Sequence, residues 1–555
     1  MRHGLWKAPA QQARRTGAAF AGLLFLAACS GGGGGGSAPP ASPPPPPPPP
    51  GGSGPVWQQG VFPAASGFKD FCAAPRTGVD IEGRPFPDRS GTALQERFWL
   101  RSWTNETYLW NTEVQDRNPA DFADRRSYFN ILRTFALTPS GKEKDDFHFS
   151  EPTTEFLARR NAAPSATYGA SLLILADAPP RDVRVRYTEP NSPASAIVSG
   201  QANLVRGARI LRVNGIDLVN ANSQSEVNAL NAALFPSQPG VTTTLEVQNP
   251  DGAPRTITMT SVNLSPKPVN RTAVINTPTG PVGYILFNTF SPFVSEREIY
   301  EAMLAMSSAG VNDLVLDLRY NGGGLLAVAS QLSYMVAGPA RTQGRAFERL
   351  RFNAAAGNRN PVTGQINDPI PFASTGQGFS LTNGTPLPSL NLPRVFVLST
   401  GRTCSASEAV INGLRGIDVE IVLIGNTTCG KPFGFYPQDN CGETYYTIQF
   451  QGINDVGFGD YADGFIPNNA SPTAFGVRLP GCQVADDLTR ELGDPEERLL
   501  AAALGYRATL SCPSPAAGEL APSQMALERL PGGLPLEVPR PSVFETNRDM
   551  TTPPS

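Results

Sequence analysis

The sequence predicts an α/β (α+β) chain whose main body is a mixed βαβ core, preceded by a smaller module and a helical region. Three observations predict it. Short apolar runs at 282–287, 314–318, 395–398 and 419–424 read as buried strands, and they alternate with helical runs at 296–308, 325–335 and 409–414. The strand ends carry the chemically rich turns: Gly322, Gly323 and Gly324, then Thr403-Cys404-Ser405-Ala406-Ser407-Glu408, then the run from Gly425 to Lys431. Sites in such sheets gather beyond the carboxyl ends of strands. Finally, 555 residues suit about three domains.

Composition narrows the partners. Net charge is −3, with no Lys/Arg cluster, so nucleic acid is excluded as a partner class. Residues 1–29 read as an export signal: Arg2, Lys7, Arg14 and Arg15 precede an apolar stretch at 18–28 that is too short for a stable membrane span. It ends in Leu26-Ala27-Ala28-Cys29, which resembles a bacterial lipobox and implies lipidation of Cys29. Ser30 rather than Asp follows, which implies the outer membrane of a bacterial envelope, facing the periplasm or the cell surface. Residues 30–56 form a Gly/Pro-rich linker, whose proline run at 43–50 makes a stiff spacer of roughly 25 Å.

Beyond Cys29 six cysteines remain: Cys72, Cys404, Cys429, Cys441, Cys482 and Cys512. An even count in an exported chain indicates disulfides, with 15 possible pairings. No C-x-x-C occurs, which argues against a thiolate zinc site, and neither metal nor cofactor is expected. Cys429 and Cys441 bracket Lys431, and a bond between them is one of the open pairings, the one that would staple its loop.

Residues 57–164 form an N-terminal helical region, with helices expected at 93–110 and 127–135. Residues 165–263 are a second unit and 270–510 the core. A helix at 495–504 is expected, with Asp494 as its cap and Pro495 at its first position. Residues 511–555 are a proline-rich tail.

The candidate chemistry centres on Ser405 and Lys431. Ser405 lies at a strand-to-helix turn, where a side chain is presented beside free backbone N–H groups. Ser407, directly before Glu408 and the apolar run, is the better helix cap. Lys431 follows twenty-six positions on, flanked by Cys429, Gly430, Pro432, Phe433 and Phe435. Apolar surroundings depress a lysine pKa, and a neutral lysine can serve as general base to a serine. A Ser–His–Asp triad is disfavoured by counting, because His148 is the one histidine beyond the signal, and it reads as a packed side chain between Phe147 and Phe149.

Taken together, Asp317-Leu318-Arg319-Tyr320-Asn321-Gly322-Gly323-Gly324, Ser405-Ala406-Ser407-Glu408 and Gly430-Lys431 resemble the carboxy-terminal-processing (tail-specific) serine peptidases, over roughly residues 95–510. The resemblance implies a ClpP/crotonase-like core, a Ser405–Lys431 dyad, and oxyanion donors from Ala406 and either Gly322 or Gly323. It implies that 165–263 is a PDZ module, which takes an extended peptide by strand addition and receives its carboxylate at Gly169, Ala170 and Ser171. Substrates would be envelope polypeptides with exposed C-termini; oligomeric state stays open. One departure stands out: some family members carry a glutamine four residues after the lysine, where this chain has Phe435. Gln438 or Glu408 is then the candidate for orienting the lysine. The alternative reading is a catalytically inactive, PDZ-type peptide-binding adaptor lipoprotein.

Overall fold

The computed structural model describes residues 54–513, 534–536, 548–551 and 553. The expected signal, Cys29 and nearly all of the linker lie outside the described residues, as does most of the stretch beyond Cys512. Helix α1 (Ala93–Thr107) begins at a reciprocal cap in which Thr92 and Gln95 bond each other's backbone N–H groups. It buries Trp99, Leu100 and Trp103 against Phe129 and Tyr445. The helix expected at 127–135 is shorter and earlier, Arg125–Phe129. It stops because the Phe129 carbonyl accepts from Leu132 N–H and lies 2.8 Å from His148 Nε2, while Thr134 N–H turns to the Tyr108 hydroxyl. Among the described residues no helix is long and apolar enough to cross a membrane.

The next unit is an antiparallel sheet with one helix: β1 (Ala170–Ala176), β2 (Asp182–Thr188), β3 (Arg209–Val213), α2 (Gln224–Leu234), β4 (Thr242–Gln248) and β5 (Pro254–Thr260). The strand order is β5-β4-β3-β2-β1, so β1 is an edge strand. Asn214 and Gly215, both at positive φ, close the tight hairpin in which Val213 pairs with Ile216. Leu536, far along the chain, is buried in this unit's core.

The largest body contains β6 (Val269–Thr277), β7 (Gly280–Phe287), α3 (Ser295–Ser308), β8 (Asp313–Asp317), α4 (Leu326–Ala337), β9 (Arg394–Ser399), α5 (Ala406–Arg415), β10 (Glu420–Gly425), β11 (Gly481–Gln483) and α6 (Arg498–Thr509). The sheet runs β6-β7-β8-β9-β10-β11; β6 is antiparallel to β7 and every other pair is parallel. Strand side chains alternate between two covered faces. Ile285, Leu316, Val397 and Leu423 face α3, α4 and α5, whereas Tyr284, Val315, Phe396 and Val422 face α6. The parallel arrangement puts the ends of β8, β9 and β10 on one edge of the body, where the three turns meet.

Helix α6 starts three residues later than expected. Asp494 instead caps a local turn, accepting Glu496 N–H through its side chain and Glu497 N–H through its carbonyl. Glu497 becomes the cap of α6, accepting Leu500 N–H.

Candidate active site

Ser405 occupies the N-cap of α5 with φ 61° and ψ −109°, a backbone state that costs a non-glycine residue about 1–3 kcal/mol. Neighbouring bonds fix it there. Asn321 O accepts Cys404 N–H (3.0 Å) and Ser407 Oγ–H (2.9 Å), and Leu318 O accepts the Thr403 hydroxyl (2.8 Å). The expected cap is therefore corrected: Ser405 is the N-cap, and Ser407 is spent on holding the turn to the end of β8. The Ser405 side chain is buried, and its Oγ has no hydrogen-bond partner among the described residues.

The glycine turn lies across from it. Gly323 (φ 112°) donates its N–H to Asn321 Oδ1 at 2.9 Å. The N–H groups of Gly322 and Ala406 have no acceptor among the described residues. Of the two glycines expected to supply an oxyanion donor, Gly322 is thus the one with a donor to offer. A Cβ on Gly324 would stand 2.5 Å from the backbone of Phe290 and Ser291, so the turn packs only with glycine at that position.

Glu408 ties the serine turn to the lysine loop. Its carboxylate, wholly buried, accepts Ser405 N–H (2.9 Å) and Lys431 N–H (2.8 Å) on Oε2, and Gly430 N–H (2.9 Å) and the Thr428 hydroxyl (2.5 Å) on Oε1. Burial pushes its pKa up, opposed by these donors. Glu408 therefore orients the loop by its backbone. Gln438, the other candidate for orienting the lysine, gives its amide to the carbonyl of Pro437.

The disulfides are Cys72–Cys441, Cys404–Cys429 and Cys482–Cys512. The candidate Cys429–Cys441 bond does not form. Strands β9 and β10 are neighbours in parallel, so the turns that follow them bring Cys404 and Cys429 to a Cα separation of 5.2 Å, while Cys441 sits on a hairpin that reaches the N-terminal region. The Cys404–Cys429 bond lies one residue before Ser405 and two before Lys431. These sulfurs and Glu408 lie close enough to surround a metal ion, but the sulfurs are bonded to one another and offer no thiolate.

Lys431 is fully buried. Its Nζ lies 4.3 Å from the ring centre of Phe147 and 4.5 Å from that of Phe435. Phe435, which stands where a glutamine was looked for, thus supplies an aromatic face instead. Phe147 comes from the N-terminal region and was not singled out in the sequence; nor were Asn321, which fastens both turns, and Thr428. Nearby, burial raises the Asp146 pKa; Glu143 adds to the rise and Arg133 opposes it. His148 stacks on Phe129 at 3.9 Å between ring centres, its Nε2 donating to Phe129 O and its Nδ1 accepting from the Thr447 hydroxyl (3.1 Å). Burial pulls its pKa down to about 4, the signature of a packed neutral histidine.

The rest of the glycine-turn motif is structural. Arg319 pairs with Asp317 (2.9 Å), Asp486 (2.8 Å) and Glu497 (2.9 Å), and Arg206 of the β1–β5 unit also reaches Asp486 (2.8 Å). In that unit Gly169 (φ 78°) gives its N–H to Thr167 Oγ1, and its carbonyl accepts Glu189 N–H. Ala170 and Ser171 begin β1, paired with Thr188 and Tyr187 of β2; the other side of β1 carries no strand among the described residues.

Residues 281–435 match the model of peptidase family S41. That stretch holds the glycine turn, the Ser405 turn and Lys431, and it ends at Phe435. A chloroplastic C-terminal processing peptidase of Tetradesmus obliquus is 28% identical over 259 residues, which is 44% of this chain and 50% of the relative, so the match spans half of that protein's length. The crystal structure of a candidate S41 protease from Bacteroides fragilis NCTC 9343 superposes with a TM-score of 0.55 at 23% identity, covering 74% of this chain and 97% of that one. This second likeness is one of fold. The similarity to family S41 thus rests on residues 281–435, and the solved structure shares the mixed α/β fold.

Proposed function

We propose that the chain is a serine peptidase in which Ser405 is the nucleophile and Lys431 the general base. One observation carries the reading. Within the stretch that matches family S41, a buried serine hydroxyl without a partner sits at a strained helix N-cap beside two unused backbone donors, Gly322 N–H and Ala406 N–H. Strain and unmet polar groups persist where chemistry needs them. In this mechanism a neutral Lys431 takes the Ser405 proton as Oγ attacks the scissile carbonyl. The two N–H groups receive the oxyanion, the amine departs with the proton, and water releases the acyl group. The open edge of β1 beside Gly169, Ala170 and Ser171 supports capture of an extended peptide in PDZ fashion. With Cys29 lipidated, the substrates would be polypeptides of a bacterial envelope with exposed C-termini, and Cys29→Ala would release the chain from the membrane fraction.

The test is cleavage of an unfolded reporter protein by the parent, Ser405→Ala and Lys431→Ala chains, each checked for folding. Cleavage by the parent alone is the expected result. Cleavage that survives Lys431→Ala would reassign the base. A second reading, a non-catalytic peptide-binding adaptor, is favoured by one fact: Ser405 and Lys431 are both 0% exposed. A serine-reactive probe separates the two, because only the peptidase would be labelled in a manner abolished by Ser405→Ala.

A further inference from the structure

A short segment far downstream of the core returns to this site. Residues Arg548–Asp549 form a strand that pairs in parallel with Gly324–Leu325, directly after the glycine turn that offers the Gly322 donor. One residue later, Met550 donates its N–H to the carbonyl of Phe435 at 3.3 Å, on the far side of Lys431 in sequence. The Met550 side chain is partly buried against the cluster of Leu350, Phe352 and Phe450, and Pro553 lies beside Gly378. The segment therefore spans from the glycine turn to the lysine loop, the two elements that carry Gly322 and Lys431.

Main-chain pairing with an existing strand is how an extended peptide is bound with little regard to its sequence. We propose that residues 548–551 are a built-in occupant of the substrate cleft: they hold the place of a substrate strand, and the cleft admits a polypeptide only when they leave. This rests on the peptidase reading for its consequence, but the binding itself does not. A cis occupant lowers the apparent affinity for any competitor by the fraction of time the cleft stands open. It also accords with the complete burial of Ser405 and Lys431.

The experiment keeps the full-length chain and changes Met550→Asp, which puts a charge into an apolar seat outside the machinery of the reaction. If the segment fills the cleft about nine tenths of the time, kcat/KM on an unfolded reporter rises about tenfold. A synthetic peptide covering residues 544–553 should then inhibit the Met550→Asp chain by raising KM, leaving kcat unchanged. A fluorescent form of that peptide should bind the Ser405→Ala, Met550→Asp double variant about tenfold more tightly than Ser405→Ala alone, as read by anisotropy. This last measurement needs no turnover. If no variant cuts but the tighter binding appears, the occupant stands and the peptidase reading falls. If Met550→Asp leaves kcat/KM within about twofold of the parent, or the peptide binds both Ser405→Ala chains alike, the occupant is overturned.

Discussion

Around Arg319 every buried charge has an opposite charge in reach, whereas around Ser405, one strand away, buried polar atoms are left open. Arg319, Asp317 and Glu497 are all 0% exposed; Arg319 meets three carboxylates, and the Tyr284 hydroxyl adds a bond of 2.7 Å to Asp317. Ser405 is just as buried, yet its Oγ and the N–H groups of Gly322 and Ala406 have no partner among the described residues. The two clusters share a sheet edge and a sequence motif, since Asn321 and Gly322 follow Arg319 after Tyr320 alone. Burial alone therefore does not mark a site. A satisfied cluster holds elements together, here β8, α6 and, through Asp486 and Arg206, the β1–β5 unit. An unsatisfied one is paid for by its surroundings and is where a substrate can complete the bonding.

The sharpest way to break this contrast is Ser405→Ala. Turnover should fall by a factor on the order of 10⁴ or more, about 5 kcal/mol in barrier height. Thermal stability should not fall, because the deleted oxygen makes no bond, and removing an unmet buried polar atom is neutral or favourable. Paired kinetics and calorimetry check both halves. A large loss of stability would mean that Oγ is a structural cap after all, and the contrast would fail.

Arg319→Met is the converse. It leaves Asp317 and Glu497 buried without their cation, and breaking a buried pair in this way costs about 3–5 kcal/mol. Denaturant unfolding should register that loss, while kcat per folded molecule stays near the parent value at temperatures where the variant is still folded. Activity lost with stability intact would place Arg319 in the chemistry instead.

How much of this was legible in the sequence follows the same division. The parallel strands, and the turns at their carboxyl ends, were readable because apolar runs of strand length alternate with helical ones, and the seven runs named between 282 and 424 came within a few residues of their observed bounds, while the strand Ala346–Arg351 was not named. Ser405 and Lys431 fall at those ends, and they and Gly322 were readable as candidates through the resemblance that the three motifs carry. What failed was local choice settled by distant partners. Ser407 looked like the cap until Asn321 claimed its hydroxyl. Asp494 lost α6 to Glu497, whose carboxylate Arg319 holds from 178 residues away. Cys429 chose Cys404 because the sheet, not the chain, makes them neighbours. Phe147 gave no signal at all, since nothing in a run of aromatics says which one will face a lysine nearly three hundred residues on.

Glu189 tests the middle of the scale, a carboxylate neither fully paired nor left open. It sits where the β1–β5 unit meets β6, with its side chain only 3.3 Å from one amide, that of Asn270. Burial pushes its pKa up to about 7; the Asn270 amide opposes this and the nearby Glu298 adds to it. An acid with a raised folded-state pKa binds its proton more tightly in the native state, so its contribution to stability is whole below about pH 4.5 and is lost as pH rises to about 7. Glu189→Gln removes that titration. Its melting temperature should match the parent's at pH 4, exceed it increasingly up to pH 7, and hold a constant lead above that. The lead should be on the order of 1 kcal/mol, allowing for solvent at this half-buried side chain. Because Glu189 N–H also holds the Gly169 carbonyl, a lead that grows with pH while peptide capture is unchanged would place the cost in the side-chain charge alone. A lead of the same size at every pH would mean the amide gains a bond that the carboxylate lacked, and Glu189 would then belong with Ser405 rather than between the two clusters.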